Sequence, residues 1–366
     1  MATIGGDYMD IVRFGMIGYG KVAQLHAQAI RDSLGGTLVA VCGRNKERRE
    51  AFAEQWGIAG RATVAEMAEL DHIDAVIIAT PHPQHHDDTI AAFDAGCHVL
   101  VEKPMALTEA QCTEMILAAE RSGNMLSVVS QRRWYPSSLR IREAIDSGKL
   151  GSPAIAQAII LGWRDLAYYE SDPWRGKWGT EGGGVCINQA PHQFDLMHWY
   201  MGPVSRIFAE WDNVNHPYIE VEDTAVATIR FANGGMGSIL VSNSQKPGIY
   251  AKVHIHGSSG ASAGVQTDGG AMFIAGRSGI AEPPVNDLWT IPGEEALLAT
   301  FRQQDEAFFK TIDPTTYFFS RQIDDFARAI NEGSRPMVTG EDGRETVRII
   351  EGIYRSGRSN EPIVYS

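Results

Sequence analysis

Three short segments carry side chains able to bind a hydroxyl group and move its proton. The first is Glu102-Lys103-Pro104, directly after the apolar run 98–101. A lysine at the end of a buried parallel strand faces whatever binds along that edge of the sheet. Beside an oxidised nicotinamide ring, desolvation and the ring's positive charge would lower its pKa, as a general base near neutral pH requires. In isolation the tripeptide is equally a surface turn; its position argues otherwise. The second segment runs from Glu181 to Asp195. Asn188 and His192 are four apart, so one helix would carry both on one face, and Asp195 would orient the His192 imidazole. The plainer reading, a packed helix histidine, gives way because Lys103 is also present. The third is Thr80-Pro81-His82-Pro83-Gln84-His85-His86, after the apolar run 75–79. Three histidines in five residues raise the question of a metal. Prolines at 81 and 83 hold a loop rather than i,i+4 spacing, and no carboxylate completes a set before Asp87. No metal is expected, and the histidines read as lining a cofactor cleft.

The glycine loop that would hold such a cofactor is Gly18-Tyr19-Gly20-Lys21-Val22-Ala23. It fits G-x-G-x-x-G/A, follows an apolar strand and opens a helix, which is the context that pattern needs. Gly18 allows the tight turn, Gly20 lets backbone approach a pyrophosphate, and Ala23 permits close helix–strand packing. An NAD site expects an acidic residue at the end of the second strand. That place falls on Gly43, with Arg44 next. Without a carboxylate nothing repels a 2′-phosphate, and the arginine can pair with it, so NADP is favoured over NAD. Lys46, Arg48 and Arg49 add positive charge, two of them as a solvated helix face.

Trp163, Trp174 and Trp178 lie close together with Tyr168 and Tyr169 between them, in a polar, glycine-broken stretch. Flat aromatics with polar edges suit the apolar face and hydroxyl rim of a sugar. Core or subunit-interface packing is the competing reading, and both stay open here.

The elements that must position these groups divide into two textures. Short apolar runs at 11–17, 38–42, 75–79 and 98–101 alternate with helical stretches at 21–34, 46–55 and 84–95. Alternation of this kind signals a doubly wound parallel sheet, whose buried strands read as continuous apolar runs. Beyond Gly151-Ser152-Pro153, strands are expected at 154–161, 223–231, 235–242 and 252–256, with Asn233-Gly234 at hairpin spacing. Helices at 188–200 and 321–331 stand apart, which points to an α+β domain with a large, mostly antiparallel open sheet. The Gly/Ser-rich stretch 257–279 reads as turns between strands. The expected division is a flexible tail over 1–10, a dinucleotide-binding domain over 11–134 and a substrate-binding and oligomerisation domain over 135–366.

Composition bounds the partners. With 32 Lys+Arg against 45 Asp+Glu the net charge is −13, which argues against nucleic-acid binding without excluding a local basic pocket. Cys42, Cys97, Cys112 and Cys186 are far apart, fitting a reducing compartment rather than a disulfide framework or a zinc site. No secretory pattern opens the chain and no apolar run is long enough to span a bilayer, so a soluble, cytoplasmic protein without a membrane partner is expected.

Taken together these segments resemble the Gfo/Idh/MocA family, the group of glucose–fructose oxidoreductase and inositol dehydrogenase. The likeness runs from about Arg13 onward. It covers the glycine loop, Thr80-Pro81 with His85, Glu102-Lys103-Pro104, the segment ending in His192-x-x-Asp195, and Glu222-Asp223-Thr224 before Phe231-Ala232-Asn233-Gly234. It also covers 322–330 and Gly340-Glu341-Asp342-Gly343. The resemblance implies a Rossmann domain, an open-sheet C-terminal domain, and oxidation or reduction of a sugar or cyclitol hydroxyl. A homodimer or homotetramer joined through the sheet is implied as well. It implies acid/base or substrate-binding roles for Lys103 and His192, and cofactor contacts near Thr80, Pro81, His85 and Glu102. An aspartate is common in the family where this chain has Asn188. The asparagine keeps hydrogen bonding but not charge, which moves the expected proton transfer to Lys103, with His192 binding a hydroxyl or sharing the relay. Asn188, Arg133, Trp163 and Asp195 are expected around the polyol. Two other readings stand beside this one: a glycosidase or lyase that oxidises its sugar transiently, and a non-catalytic nucleotide-sensing protein.

Overall fold

The computed structural model describes residues 3–4, 7–8, 10–267 and 282–365. They form two compact units, Met1–Gln131 with Pro314–Arg344, and Arg132–Asp313 with Glu345–Ser366.

The first unit is built on a six-stranded, wholly parallel sheet. Its order is Ala59–Arg61, Gly36–Cys42, Val12–Ile17, Ala75–Ile78, His98–Val101, Leu126–Val128. The order reverses at Val12–Ile17, the first strand of the sheet in sequence, which is the switch point where doubly wound sheets bind ligands. Val76, Ile77, Val99 and Val101 are all fully buried, as strands covered on both faces must be. The strand Ala59–Arg61 and the helix Val64–Asp71 add to the elements expected from sequence. The strand is only half-buried and contains a glycine, so it leaves no apolar run to read. Of the expected tail over 1–10, the described part is a short antiparallel pair, Thr3–Ile4 with Asp7–Tyr8, and Asp10; the rest lies outside the described residues.

One boundary is corrected. The expected C-terminal domain over 135–366 loses residues 314–344 to the first unit. The helix Tyr317–Glu332 is strongly amphipathic and buries Ile323, Phe326 and Ala327 in the same core as Phe14 and Ile30. The Phe14 and Phe326 rings sit 6.5 Å apart. Polar contacts fix its register. Asp324 accepts the Leu34 and Gly35 amides at 2.7 and 3.0 Å, and Gln322 bonds the Ser130 amide and the Val128 carbonyl. Farther on, a Cβ at Gly343 would lie 2.5 Å from Val128, so only glycine allows that approach.

The second unit carries an eight-stranded sheet in the order Val285–Trp289, Ser262–Thr267, Tyr250–Gly257, Pro153–Leu161, Met236–Ser242, Thr224–Phe231, Val204–Asp212, Ile363–Val364. Every pairing is antiparallel except Met236–Ser242 with Pro153–Leu161. Burial alternates strictly along Thr224–Phe231, which is how a sheet with one covered face reads. The Asn233-Gly234 turn joins the expected hairpin, with Gly234 at φ +86°. The strand Val204–Asp212 gives no apolar run in sequence because Arg206, Glu210 and Asp212 interrupt it. In the stretch 257–279, expected as turns, only 258–261 form a turn; Ser262–Thr267 is a strand of the sheet, and 268–279 lies outside the described residues. Among the described residues no helix is long and apolar enough to cross a membrane.

Candidate active site

In the first unit the glycine loop joins Val12–Ile17 to the helix Lys21–Asp32. Gly18 has φ +105°, and a Cβ there would sit 2.7 Å from the Ala79 carbonyl, so backbone of the neighbouring strand end passes where a side chain would be. At Gly20, by contrast, a built Cβ would meet nothing within 4 Å. Packing therefore explains Gly18, while Gly20 keeps open space at the helix start. No side chain caps that helix, and Gly20 holds the cap position in extended geometry. An uncapped helix N-terminus beside open space is an anion-binding arrangement, and it fits the pyrophosphate of a dinucleotide. Ala23 is fully buried and packs in the sheet–helix core, as expected; Lys21 is exposed and Val22 half-buried.

Tyr19 explains the residue at the end of the second strand. A Cβ at Gly43 would collide with the Tyr19 ring, so the ring lies where an acidic side chain would start. The Tyr19 hydroxyl accepts the Asn45 amide at 2.9 Å, and the Arg48 guanidinium stacks 5.1 Å from its ring. Arg44, Lys46 and Arg48 are exposed. Arg49 is buried instead, donating to the Gly43 carbonyl at 3.2 Å and to Glu50 at 2.8 Å. The positive edge thus consists of three solvent-facing groups and one that braces the loop.

Behind the loop, the ends of Ala75–Ile78 and His98–Val101 are tied together by His85. Its ring is fully buried, with Nδ1 2.8 Å from the Pro104 carbonyl and Nε2 2.9 Å from the Thr80 carbonyl. Burial pulls its pKa below the ordinary histidine value, against those two carbonyls. A neutral imidazole has one N–H, so His85 donates to one of the two carbonyls at a time, with both nitrogens turned to the protein rather than to a ligand. Thr80 also donates to Asp88 at 2.6 Å, and Pro81 is half-buried beside it. Glu102 is buried as well. It accepts from His26 Nε2 at 2.7 Å and from the Lys103 amide at 3.0 Å. Burial opposes its ionisation, but the His26 hydrogen bond and the charges of His26 and Lys103 outweigh it and hold the carboxyl below its usual range. The buried His26–Glu102 pair, which sequence reasoning missed, thus fixes the backbone from which the half-buried Lys103 projects. Its signal was available only as a lone histidine in a helix.

In the second unit the expected single helix from Asn188 to His192 is not formed. Asn188 closes a one-turn helix, Val185–Asn188, and the next helix, Pro191–Met201, begins at a proline. Proline lacks the amide needed to continue the ladder but suits a first helical position. Gln189 and Ala190 keep right-handed helical dihedrals between them. Asn188 and His192 are both half-buried. Asn188 Nδ2 donates to the buried Glu181, a partner the sequence did not indicate.

Arg133 and Asp195, both expected around the polyol, are paired with each other. Their side chains are 1% and 6% exposed and form a bidentate pair at 2.7 and 3.0 Å, with the guanidinium 5.1 Å from the Trp199 ring. Both carboxylate oxygens are engaged by the arginine, so the pair joins the turn Gln131–Trp134 to the helix Pro191–Met201. The aromatic stretch divides. Trp178 packs on Trp211 and Tyr354 at 5.3 and 5.2 Å, which is core packing. Trp163 is half-buried against His216 at 5.2 Å, with Lys246 over its ring at 5.5 Å. His216 is itself fully buried, 2.6 Å from Asp223 and 2.7 Å from the Arg164 carbonyl, a brace under the Trp163 loop. Glu222 accepts from the Gly184 and Cys186 amides and the Tyr354 hydroxyl. Burial still pushes its carboxyl up to about 7. Among the described residues no group of three His, Cys, Asp or Glu could hold a metal ion.

Comparison with known proteins follows the same division. Residues 12–130 match the family model described as an oxidoreductase family with an NAD-binding Rossmann fold, and residues 138–263 match the GFO/IDH/MocA C-terminal domain. An oxidoreductase of Formosa agariphila is 36% identical over 201 residues, covering 54% of this chain and 62% of that protein. The NADP-dependent scyllo-inositol 2-dehydrogenase of Bacillus subtilis is 26% identical over 374 residues, covering 98% of each chain. Among solved structures, the WlbA dehydrogenase of Bordetella pertussis in complex with NADH and UDP-GlcNAcA superposes with a TM-score of 0.84 at 26% identity, covering 98% of each chain.

Proposed function

Because the chain belongs to the Gfo/Idh/MocA family of NAD-binding oxidoreductases, we propose that it moves a hydride between a nicotinamide cofactor and a secondary hydroxyl or ketone of a sugar, sugar derivative or cyclitol. The observation that carries this reading is the place of Lys103. It follows the end of the strand His98–Val101 by two residues, and only Ala75–Ile78 separates that strand from the one that feeds the glycine loop, in a sheet whose ligands bind at that edge.

When bound on that loop, the cofactor supplies two-electron exchange with a carbon that carries oxygen. The protein's own residues do the rest. Gly18 makes the turn against Ala79, and Gly20 admits the pyrophosphate to the uncapped helix start. Lys103 Nζ takes the hydroxyl proton on oxidation and returns it on reduction, while the His26–Glu102 pair and His85 hold its loop. Asn188 and His192 bind further hydroxyls, and Trp163 offers an apolar face to the ring. Gly43, covered by Tyr19, leaves no carboxylate against a 2′-phosphate, and the exposed Arg44 is placed to pair with it, which supports NADP over NAD. Self-association into a dimer or tetramer is supported by the outward sheet face, where Phe208, Val226 and Leu240 are exposed. Four free, buried cysteines support a reducing, cytoplasmic setting.

A screen of hexoses and cyclitols, run in parallel with NAD and NADP, tests the reading. On the best substrate, Lys103→Met is expected to lower kcat by about 100-fold or more, the scale of a lost acid/base group. Turnover left largely intact would show that Lys103 is not that group. Arg44→Ala is expected to weaken NADP by roughly 10-fold or more with little change for NAD, as one charge-assisted contact to phosphate dictates.

A further inference from the structure

Gly43 directly follows the strand Gly36–Cys42, at the place where a dinucleotide's adenosine ribose binds in such sheets. Its backbone lies outside the positive-φ region, unlike that of Gly18. Backbone conformation therefore does not demand glycine at 43. The Tyr19 ring does, because it fills the space that a Cβ there would need. Nor is that ring loose. Its hydroxyl accepts the Asn45 amide at 2.9 Å, the Arg48 guanidinium stacks 5.1 Å from its centroid, and its body packs on the sheet–helix core. The circle of contacts closes through Asn45, whose Oδ1 accepts the Arg48 amide at 2.9 Å. Behind it the Gly18 amide donates to the Cys42 carbonyl at 3.0 Å, which holds the glycine loop and the strand end side by side. Swinging Tyr19 aside would break a hydrogen bond and a cation–π contact together.

We propose that Tyr19 is a specificity-determining residue of the dinucleotide site: its ring excludes an acidic side chain from position 43 and thereby excludes recognition of an unphosphorylated adenosine ribose. The inference rests on the NADP reading above. A carboxylate at this place selects NAD in two ways: it accepts from ribose hydroxyls, and it repels a 2′-phosphate. Tyr19 removes both at once. The same ring holds Arg48, in the helix start that follows the exposed Arg44, so aromatic bulk and positive charge arrive together. The ligand class is a dinucleotide whose adenosine carries a 2′-phosphate. Positions 19 and 43 are thus one determinant rather than two, with the residue between the loop glycines dictating what can stand at the neighbouring strand end.

Two measurements on the full-length protein test this, and the first needs no cofactor. Gly43→Ala adds one methyl group, and its effect on melting temperature is read in the native background and in Tyr19→Ala. With the ring present the methyl overpacks the loop, and a drop of roughly 3 °C or more is expected. Without the ring the drop is expected to shrink to about 1 °C or less. The second measurement is affinity for NADH and NADPH, by fluorescence titration without substrate. Gly43→Asp alone is expected to weaken NADPH by about tenfold or more and to gain nothing for NADH, because the ring holds the new carboxylate off its place. Tyr19→Ala combined with Gly43→Asp is expected to bind NADH about tenfold or more tightly than Gly43→Asp does.

Equal drops in melting temperature in the two backgrounds overturn the proposal, since position 43 would then not feel the ring. So does an NADH gain as large in Gly43→Asp as in the double variant. Coupled melting temperatures with no NADH gain in the double variant overturn it as well, and leave Tyr19 a packing residue only. Failure of the NADP reading looks different. If the native protein binds NADH as tightly as NADPH, that preference falls, while the NADH gain of the double variant still decides for or against Tyr19.

Discussion

Asp195→Asn separates the two roles open to the Arg133–Asp195 pair. The substitution keeps the shape of the side chain and removes its charge from a site where the two groups are 1% and 6% exposed. At that burial solvent screens little. Taking away one member of a buried, bidentate ion pair costs about 3–5 kcal/mol, because the remaining guanidinium has already left water. Cation–π contact with Trp199 at 5.1 Å offsets only part of this, on the order of 1 kcal/mol. For a folding unit of this size, each kcal/mol moves the melting temperature by roughly 2–4 °C, so the remaining loss of about 2–4 kcal/mol gives a drop of roughly 4–16 °C. Scanning calorimetry or circular dichroism reads it, with KM for the polyol measured below the transition. The double variant Arg133→Met with Asp195→Leu should recover most of the loss, since apolar replacement of a buried pair is often neutral or stabilising. An unshifted melting temperature with a raised KM would refute the reasoning and make Asp195 a substrate contact.

Further predictions concern the other buried groups. With its carboxyl raised to about 7 from 4.5, Glu222 binds more protons in the fold than in the unfolded chain, so its contribution is complete below pH 4.5 and is lost as pH rises through 7. Glu222→Gln should flatten that part of the stability profile, worth about 3 kcal/mol, and denaturant titrations at about pH 5 and 8 will show it. The Glu102 carboxyl moves the other way, so its share of stability is present above the usual carboxylate range and lost as pH falls. His26→Leu should therefore cost about 1–3 kcal/mol at pH 7 and less near pH 4; equal losses at both would show that charge is not involved. Gly18→Ala forces a Cβ into the Ala79 carbonyl at φ +105°, a strain of about 1–3 kcal/mol, and dinucleotide affinity by fluorescence titration should fall with it.

The parallel sheet was legible because Val76, Ile77, Val99 and Val101 sit in unbroken apolar runs, and the hairpin because Asn233-Gly234 admits a tight turn. Gly18, Gly20 and Ala23 were legible for the same reason: their demands are local to a strand–turn–helix. What escaped reading depends on residues distant in sequence. Glu102 pairs with His26 across 76 positions, and Asp324 reaches the Leu34 amide across 290. Neither has a spacing a periodicity could expose. Asp195 was read from its three-residue spacing to His192, and its pairing with Arg133 across 62 positions was no more legible than the others. The helix expected from Asn188 failed on one residue, Pro191, whose meaning as a first helical position was passed over. Glu181 lay in full view, seven residues from Asn188, without a pattern to mark it.

The helix Tyr317–Glu332 has a consequence for how the chain is made. A ribosome completes the last strand of the parallel sheet at Val128, yet the helix that covers Phe14 and Ile30 starts 189 residues later, at Tyr317. At about 5–20 residues per second, the nascent sheet waits roughly 10–40 s with that apolar patch open. During the interval the patch is a natural landing place for a chaperone, or for another nascent chain. A fragment ending near residue 134, though it holds all six strands and the glycine loop, would carry the same exposed patch permanently. Slowed synthesis between the two points should lower the soluble yield, and supplying residues 314–344 as a separate peptide should restore it.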